Sequence, residues 1–125
     1  MNSQKELFSH AATVLAVANV GHSLAYYENK LGFTCNFKWN DPMDYAVLKR
    51  GDISIHLTNK DNAESVLKNQ ISIYIFVHDV DVVYHEFSEK NVTIHTPIGD
   101  REYQMREFDV IDPDGYIIGF GMNTN

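Results

Sequence analysis

An α+β architecture of two tandem βαβββ modules is expected from three features of these 125 residues. A strand-then-helix pattern occurs twice, sixty residues apart, and a strand-turn-strand pattern occurs twice, sixty-three residues apart. One further short strand pattern stands between them in each half, so both halves read β-α-β-β-β in the same order.

Val14 to Val17 is a short apolar run, after which Val20, Leu24, Tyr27 and Leu31 recur at helical spacing. Asn19 can accept from the first free amides as N-cap, Lys30 falls in the last turn where a cation suits the dipole, and Gly32 suits a left-handed stop. Phe33 to Trp39 gives the next strand. Tyr45 to Leu57 then reads as strand, tight turn at Arg50-Gly51-Asp52, and strand. Asn59 to Gln70 is a connector with a helical turn expected over Ala63 to Leu67. The second half repeats the first: Ile71, Ile73, Ile75 and Val77 alternate as a strand, and Asp79 caps a helix whose Val80, Val83, Tyr84 and Phe87 share a face. Val92 to Ile98 gives a strand, and Phe108 to Phe120 gives two more about the turn Asp112-Pro113-Asp114-Gly115.

Composition bounds what such a chain does. Apolar residues make up 44% and no Pro/Gly/Ser-rich stretch divides the chain, so residues 1–125 are expected as one domain, module one over about 12–58 and module two over about 71–121. Met1 to Ser9 lack a basic start followed by an apolar run, and no apolar stretch approaches the ~20 residues a membrane helix needs; a cytoplasmic location without membrane contact is expected. Seventeen acidic against ten basic residues give a formal charge of −7, which repels nucleic acid and favours cationic ligands. The single cysteine, Cys35, has no partner for an internal disulfide and no Cys or His at zinc-site spacing.

Alternation separates the faces. In Ile53 to Thr58 the odd positions are apolar and belong under a helix, while Ser54, His56 and Thr58 face the other way. In the strand from Ile71 the odd positions are again expected in the core, and the even face carries Ser72, Tyr74 and Phe76. Two aromatic rings turned away from the helix require a cover, whether ligand, partner subunit or second core.

Several segments together carry a family likeness: Ser23-Leu24-Ala25-Tyr26-Tyr27 running into Lys30-Leu31-Gly32-Phe33, Ile53-Ser54-Ile55-His56-Leu57, Tyr103-Gln104-Met105-Arg106-Glu107-Phe108, and Asp112-Pro113-Asp114-Gly115. In this order, spanning roughly Ala12 to Gly121, the chain resembles the vicinal oxygen chelate superfamily of glyoxalases, bleomycin-resistance proteins and dioxygenases. The resemblance implies a half-open, cup-shaped mixed sheet with helices on its outer face, and a homodimer. It also implies up to four places where the enzymes of the group hold a divalent ion, which fall here at Ala12, His56, Ser72 and Gly119. Only His56 offers a strong donor where about three protein ligands are needed, so no metal and no other cofactor is expected.

Among these relatives the bleomycin-resistance proteins lack the metal ligands and sequester a flat cationic drug in clefts between two subunits. The implied function is metal-independent sequestration of a small molecule, aromatic and cationic or amphipathic, with no catalytic residue assigned. Trp39, Tyr74, Phe76, Tyr103 and Met105 are candidates for stacking surface, Glu107 for attracting a cation, and His56 for ligand contact. Each also has a packing reading: Trp39 with Phe37 covering an edge strand, Tyr103 and Met105 at a subunit interface, Glu107 paired with Arg106 or Arg101, and His56 bonded within the cup. Gln104 stands where the group often has Gly, which reshapes part of the cleft. Three alternatives stay open: a metal-dependent lyase, isomerase, thiol transferase or dioxygenase-like enzyme; a metal-free enzyme using His56 or Glu107 as general base; and a partner-binding module.

Overall fold

The computed structural model describes residues 6–60 and 70–125. Its elements are β1 (Thr13–Val17), α1 (Val20–Asn29), β2 (Thr34–Trp39), β3 (Tyr45–Arg50), β4 (Ile53–Asn59), β5 (Ile71–Phe76), α2 (Val80–Glu89), β6 (Ile94–Asp100), β7 (Met105–Ile111) and β8 (Ile117–Asn123). The two βαβββ modules are therefore present as expected, while the helical turn expected over Ala63 to Leu67 lies outside the described residues. Each module closes its own mixed four-stranded sheet, in the orders β1-β4-β3-β2 and β5-β8-β7-β6, with β1/β4 and β5/β8 parallel and the other pairs antiparallel.

Both helices start where a short polar side chain can take up free amides. Asn19 accepts from the His22 N–H at 2.9 Å and Asp79 from the Val82 N–H at 3.2 Å. Gly32 has φ 74° and ends the first helix as foreseen. Lys30 works otherwise: it lies just beyond α1, and its ammonium donates to the Lys90 carbonyl at 2.6 Å, at the carbonyl-rich end of α2.

Each helix covers one face of its own sheet, α1 touching β2, β3 and β4 and α2 touching β6, β7 and β8. Under α1 lie Leu15, Val17, Ala46, Leu48, Ile55 and Leu57; under α2 lie Ile75, Phe108, Val110, Ile118 and Phe120, and the two sets join in one core. The Phe108 and Phe120 rings stack at 5.2 Å and 20°, with Phe87 of α2 edge-on to both, so burial and ring geometry reinforce each other. The modules are tied on this helix side: Tyr27 OH donates to Asp112 Oδ2 at 2.6 Å, Ser23 OH to Asp114 Oδ2 at 2.7 Å, Tyr116 OH to the Ala16 carbonyl at 2.7 Å, and Arg50 clasps both oxygens of Glu86 at 2.8 and 3.0 Å.

Three sequence expectations need correction. The alternation places Ile71 in the core, yet a register shift between Ile71 and Ile73 turns it outward, 48% exposed, with its Cδ1 over Gly119. The sixty-three-residue repeat holds for β4 and β8 but not for β3 and β7. Buried Ala46 and Leu48 correspond to buried Phe108 and Val110, sixty-two residues on, because the Asp112–Gly115 turn contains one more residue; Tyr45 therefore faces outward where Phe108 faces in. Finally, Val92 precedes the sixth strand, which runs from Ile94 to Asp100 with two irregularities.

Candidate ligand-binding site

The faces away from the helices carry the candidate residues. On the first, cross-strand register places Val14 beside His56, Val47 beside His56 and Phe37, and Tyr45 beside Thr58 and Trp39. Tyr45 OH and His56 Nδ1 lie 2.8 Å apart with their rings edge to face, and Phe37 and Trp39 stack at 6.1 Å and 20°. Phe37, Trp39, Asp44, Tyr45, Thr58 and Asn59 line a hollow of about 330 Å³ there.

On the second face Tyr74 lies opposite Gly119 and Phe76 opposite Gly121. The two glycines leave room for the Tyr74 ring: a Cβ on Gly121 would stand 1.9 Å from its hydroxyl, and one on Gly119 2.9 Å from its Cδ2. Laid down in this way, Tyr74 donates to Glu107 Oε1 at 2.6 Å, and Tyr103 donates to Glu107 Oε2. Burial, and then the Glu107 carboxylate, push the Tyr74 phenol well above its ordinary range, so it stays a donor. Arg101 Nε stands 3.6 Å from Glu107 Oε2, and His95 Nδ1 lies 2.9 Å from Asp109 Oδ1. Tyr74, Tyr103, Glu107, Arg101, Asp109 and Ile71 are among the residues lining a hollow of about 230 Å³.

Of the seven residues singled out from sequence, Trp39, Tyr74, Tyr103 and Glu107 line these hollows. His56 lies beside the first, while Phe76 and Met105 lie on the second face outside the lining. They form two groups: Trp39 and His56 in module one, the others in module two. Each hollow is lined by one module alone, and every hydrogen bond joining the modules among the described residues lies on the helix side or at the strand ends. Trp39 and Phe76 are accordingly 57% and 70% exposed. Tyr45 and Asp44 were missed from sequence; Tyr45 was legible from the alternation with Ala46 and Leu48, whereas Asp44 is brought in by the bend Asn40–Asp44, which has no periodic signal.

The divalent ion of the superfamily's enzymes does not fit these residues. His56 is already bonded to Tyr45, Gly119 carries no donor and is overlain by Tyr74, and among the described residues no three His, Cys, Asp or Glu side chains converge. Nor, among those residues, is any helix long and apolar enough to cross a membrane.

Paired βαβββ modules with open faces away from their helices define a family, and residues 8–120 match the model of the Glyoxalase/Bleomycin resistance protein/Dioxygenase superfamily; the chain belongs to it. Within that family it is 28% identical to the bleomycin resistance proteins of Geobacillus stearothermophilus and Staphylococcus aureus over 123 residues, covering 85% of this chain and 90% of theirs. Among solved structures, the bleomycin-binding protein of bleomycin-producing Streptomyces verticillus, complexed with copper(II)-bleomycin, superposes with a TM-score of 0.73 at 27% identity, over 93% of this chain and 97% of that one. TioX from Micromonospora sp. ML1 shares the fold with a TM-score of 0.79 at 19% identity, over 93% and 99%.

Proposed function

We propose that this protein sequesters a small aromatic molecule, cationic or amphipathic, without a metal, in clefts formed between two copies of the chain. The observation that carries the reading is the pair of aromatic open faces, each with a hollow holding a carboxylate and each lined by one module only. An isolated chain leaves large rings in water on both faces, which a second copy can cover. In a two-fold dimer, setting the first face of one copy against the second face of the other covers both faces of both chains; pairing like with like covers only one. The candidate contacts are then Trp39 and His56 from one copy, with Tyr74, Phe76, Tyr103, Met105 and Glu107 from the other.

Likeness to bleomycin resistance proteins and to a bleomycin-binding protein supports a ligand of that chemistry. The poor donor set around His56 favours holding a molecule over polarising it. Trp39 is the sole tryptophan, so its emission reads the first face directly. Titration with metal-free bleomycin is expected to change that emission and saturate at one ligand per chain, with or without EDTA. Absence of any change in emission or melting temperature, or binding that requires added Zn, Mn, Ni or Fe, would contradict the proposal.

A further inference from the structure

The first hollow contains one carboxylate, Asp44, and the second contains two, Glu107 and Asp109, and these differ in what already holds them. Asp109 is met by His95 Nδ1 at 2.9 Å. Glu107 is engaged on both oxygens, by Tyr74 on one and by Tyr103 on the other, with the Arg101 guanidinium 3.6 Å away. Its charge is balanced within its own module. Asp44 accepts one hydrogen bond from the neutral Asn40 amide at 2.8 Å and has no cationic partner among the described residues. The amide is placed by the left-handed backbone of Asn40, φ 69°, a conformation Asn tolerates better than most residues.

Asp44 shares its hollow with the stacked rings of Phe37 and Trp39 and with Tyr45. An unbalanced carboxylate beside aromatic faces suits a flat cation, since the carboxylate attracts the charge and the rings attract it again through their electron-rich faces. We infer that Asp44 is the residue that selects positive charge in the ligand, and that Glu107 is a positioning residue fixing the Tyr74 and Tyr103 rings. The inference rests on the binding function proposed above and refines it, because Glu107 was the carboxylate that sequence favoured for the cation.

Calorimetric titration of the full chain with proflavine, a flat aromatic cation, and acridone, a neutral tricycle of similar size, tests it, with melting temperatures checking that each variant folds. Wild type is expected to prefer proflavine. Asp44→Asn should weaken proflavine by about tenfold while leaving acridone within about twofold, and Asp44→Glu should restore part of the preference. Glu107→Ala should weaken both dyes together, whereas Glu107→Gln, which keeps an acceptor oxygen without charge, should recover both and retain the preference. Unchanged proflavine affinity in Asp44→Asn, or a preference abolished by Glu107→Gln, would overturn the assignment. A wild type that takes bleomycin but does not discriminate between the dyes overturns the charge assignment alone; one that binds neither dye nor bleomycin overturns the sequestration function as well.

Discussion

Tyr74 owes its position to what β8 lacks, since any side chain at Gly121 would occupy the space of its hydroxyl. Gly121→Ala must therefore lift the ring, break its bond to Glu107 and strain the packing beside it. We expect a loss of roughly 1–3 kcal/mol in urea denaturation, a range typical of overpacked sites. Tyr26 presents the opposite case. Its hydroxyl is buried with no partner among the described residues, and burial drives its pKa above the ordinary phenol range. Tyr26→Phe removes an unpaired polar group while keeping the edge-on contact with Tyr27, so it should stabilise by up to about 1 kcal/mol in the same assay. A destabilised Tyr26→Phe would mean that the hydroxyl has a partner.

At the scale of elements, the β7–β8 turn serves both as a turn and as a clamp on α1. Asp112 accepts from the backbone N–H groups of Asp114 and Tyr116 as well as from Tyr27 OH, and it is buried. Burial raises its pKa, outweighing those hydrogen bonds, which pull the other way. A carboxyl group that ionises less readily folded than unfolded contributes most below its unfolded pKa of about 3.9; that contribution is lost as pH rises through the folded value. Glu86 runs in the opposite sense: the Arg50 hydrogen bonds lower its pKa, so its contribution is present above the unfolded value and lost as pH falls. Subtracting the stability of Asp112→Asn from that of wild type across pH should give a difference that declines from about pH 4 upward. A flat difference would mean that Asp112 ionises as it does in the unfolded chain.

These elements also mark how far the sequence could be read. Caps at Asn19 and Asp79, the stop at Gly32 and the two-module order were legible because each depends on residues close along the chain. The outward turn of Ile71 was not, since a bulge depends on its partner strand, and one extra residue in the second turn shifted β7 against its apparent repeat. In the candidate site, Tyr74 and Trp39 stood out as large rings on strands. Arg101 beside Glu107 was legible as one of its two nearby arginines, whereas the hold of the Tyr74 phenol on that carboxylate is a tertiary fact that no local pattern carries.

For the whole molecule, the helices and turns are consumed in joining the two modules, and the open faces are left over. On the proposed reading the leftover faces are the functional surface. Ligand at about a hundredfold excess over Kd should add about 2.7 kcal/mol to stability, visible as a rise of several degrees in melting temperature. The most direct measurement exploits the split of the site between chains. Trp39→Ala breaks the first face and Tyr74→Ala the second, so each variant alone should bind metal-free bleomycin poorly at every cleft. Refolded together, half of the dimers are mixed, and each mixed dimer has one cleft built from two unbroken faces, so binding should return at about a quarter of the sites. No recovery in the mixture, with both variants folded and dimeric, would contradict a cleft shared between unlike faces of two chains.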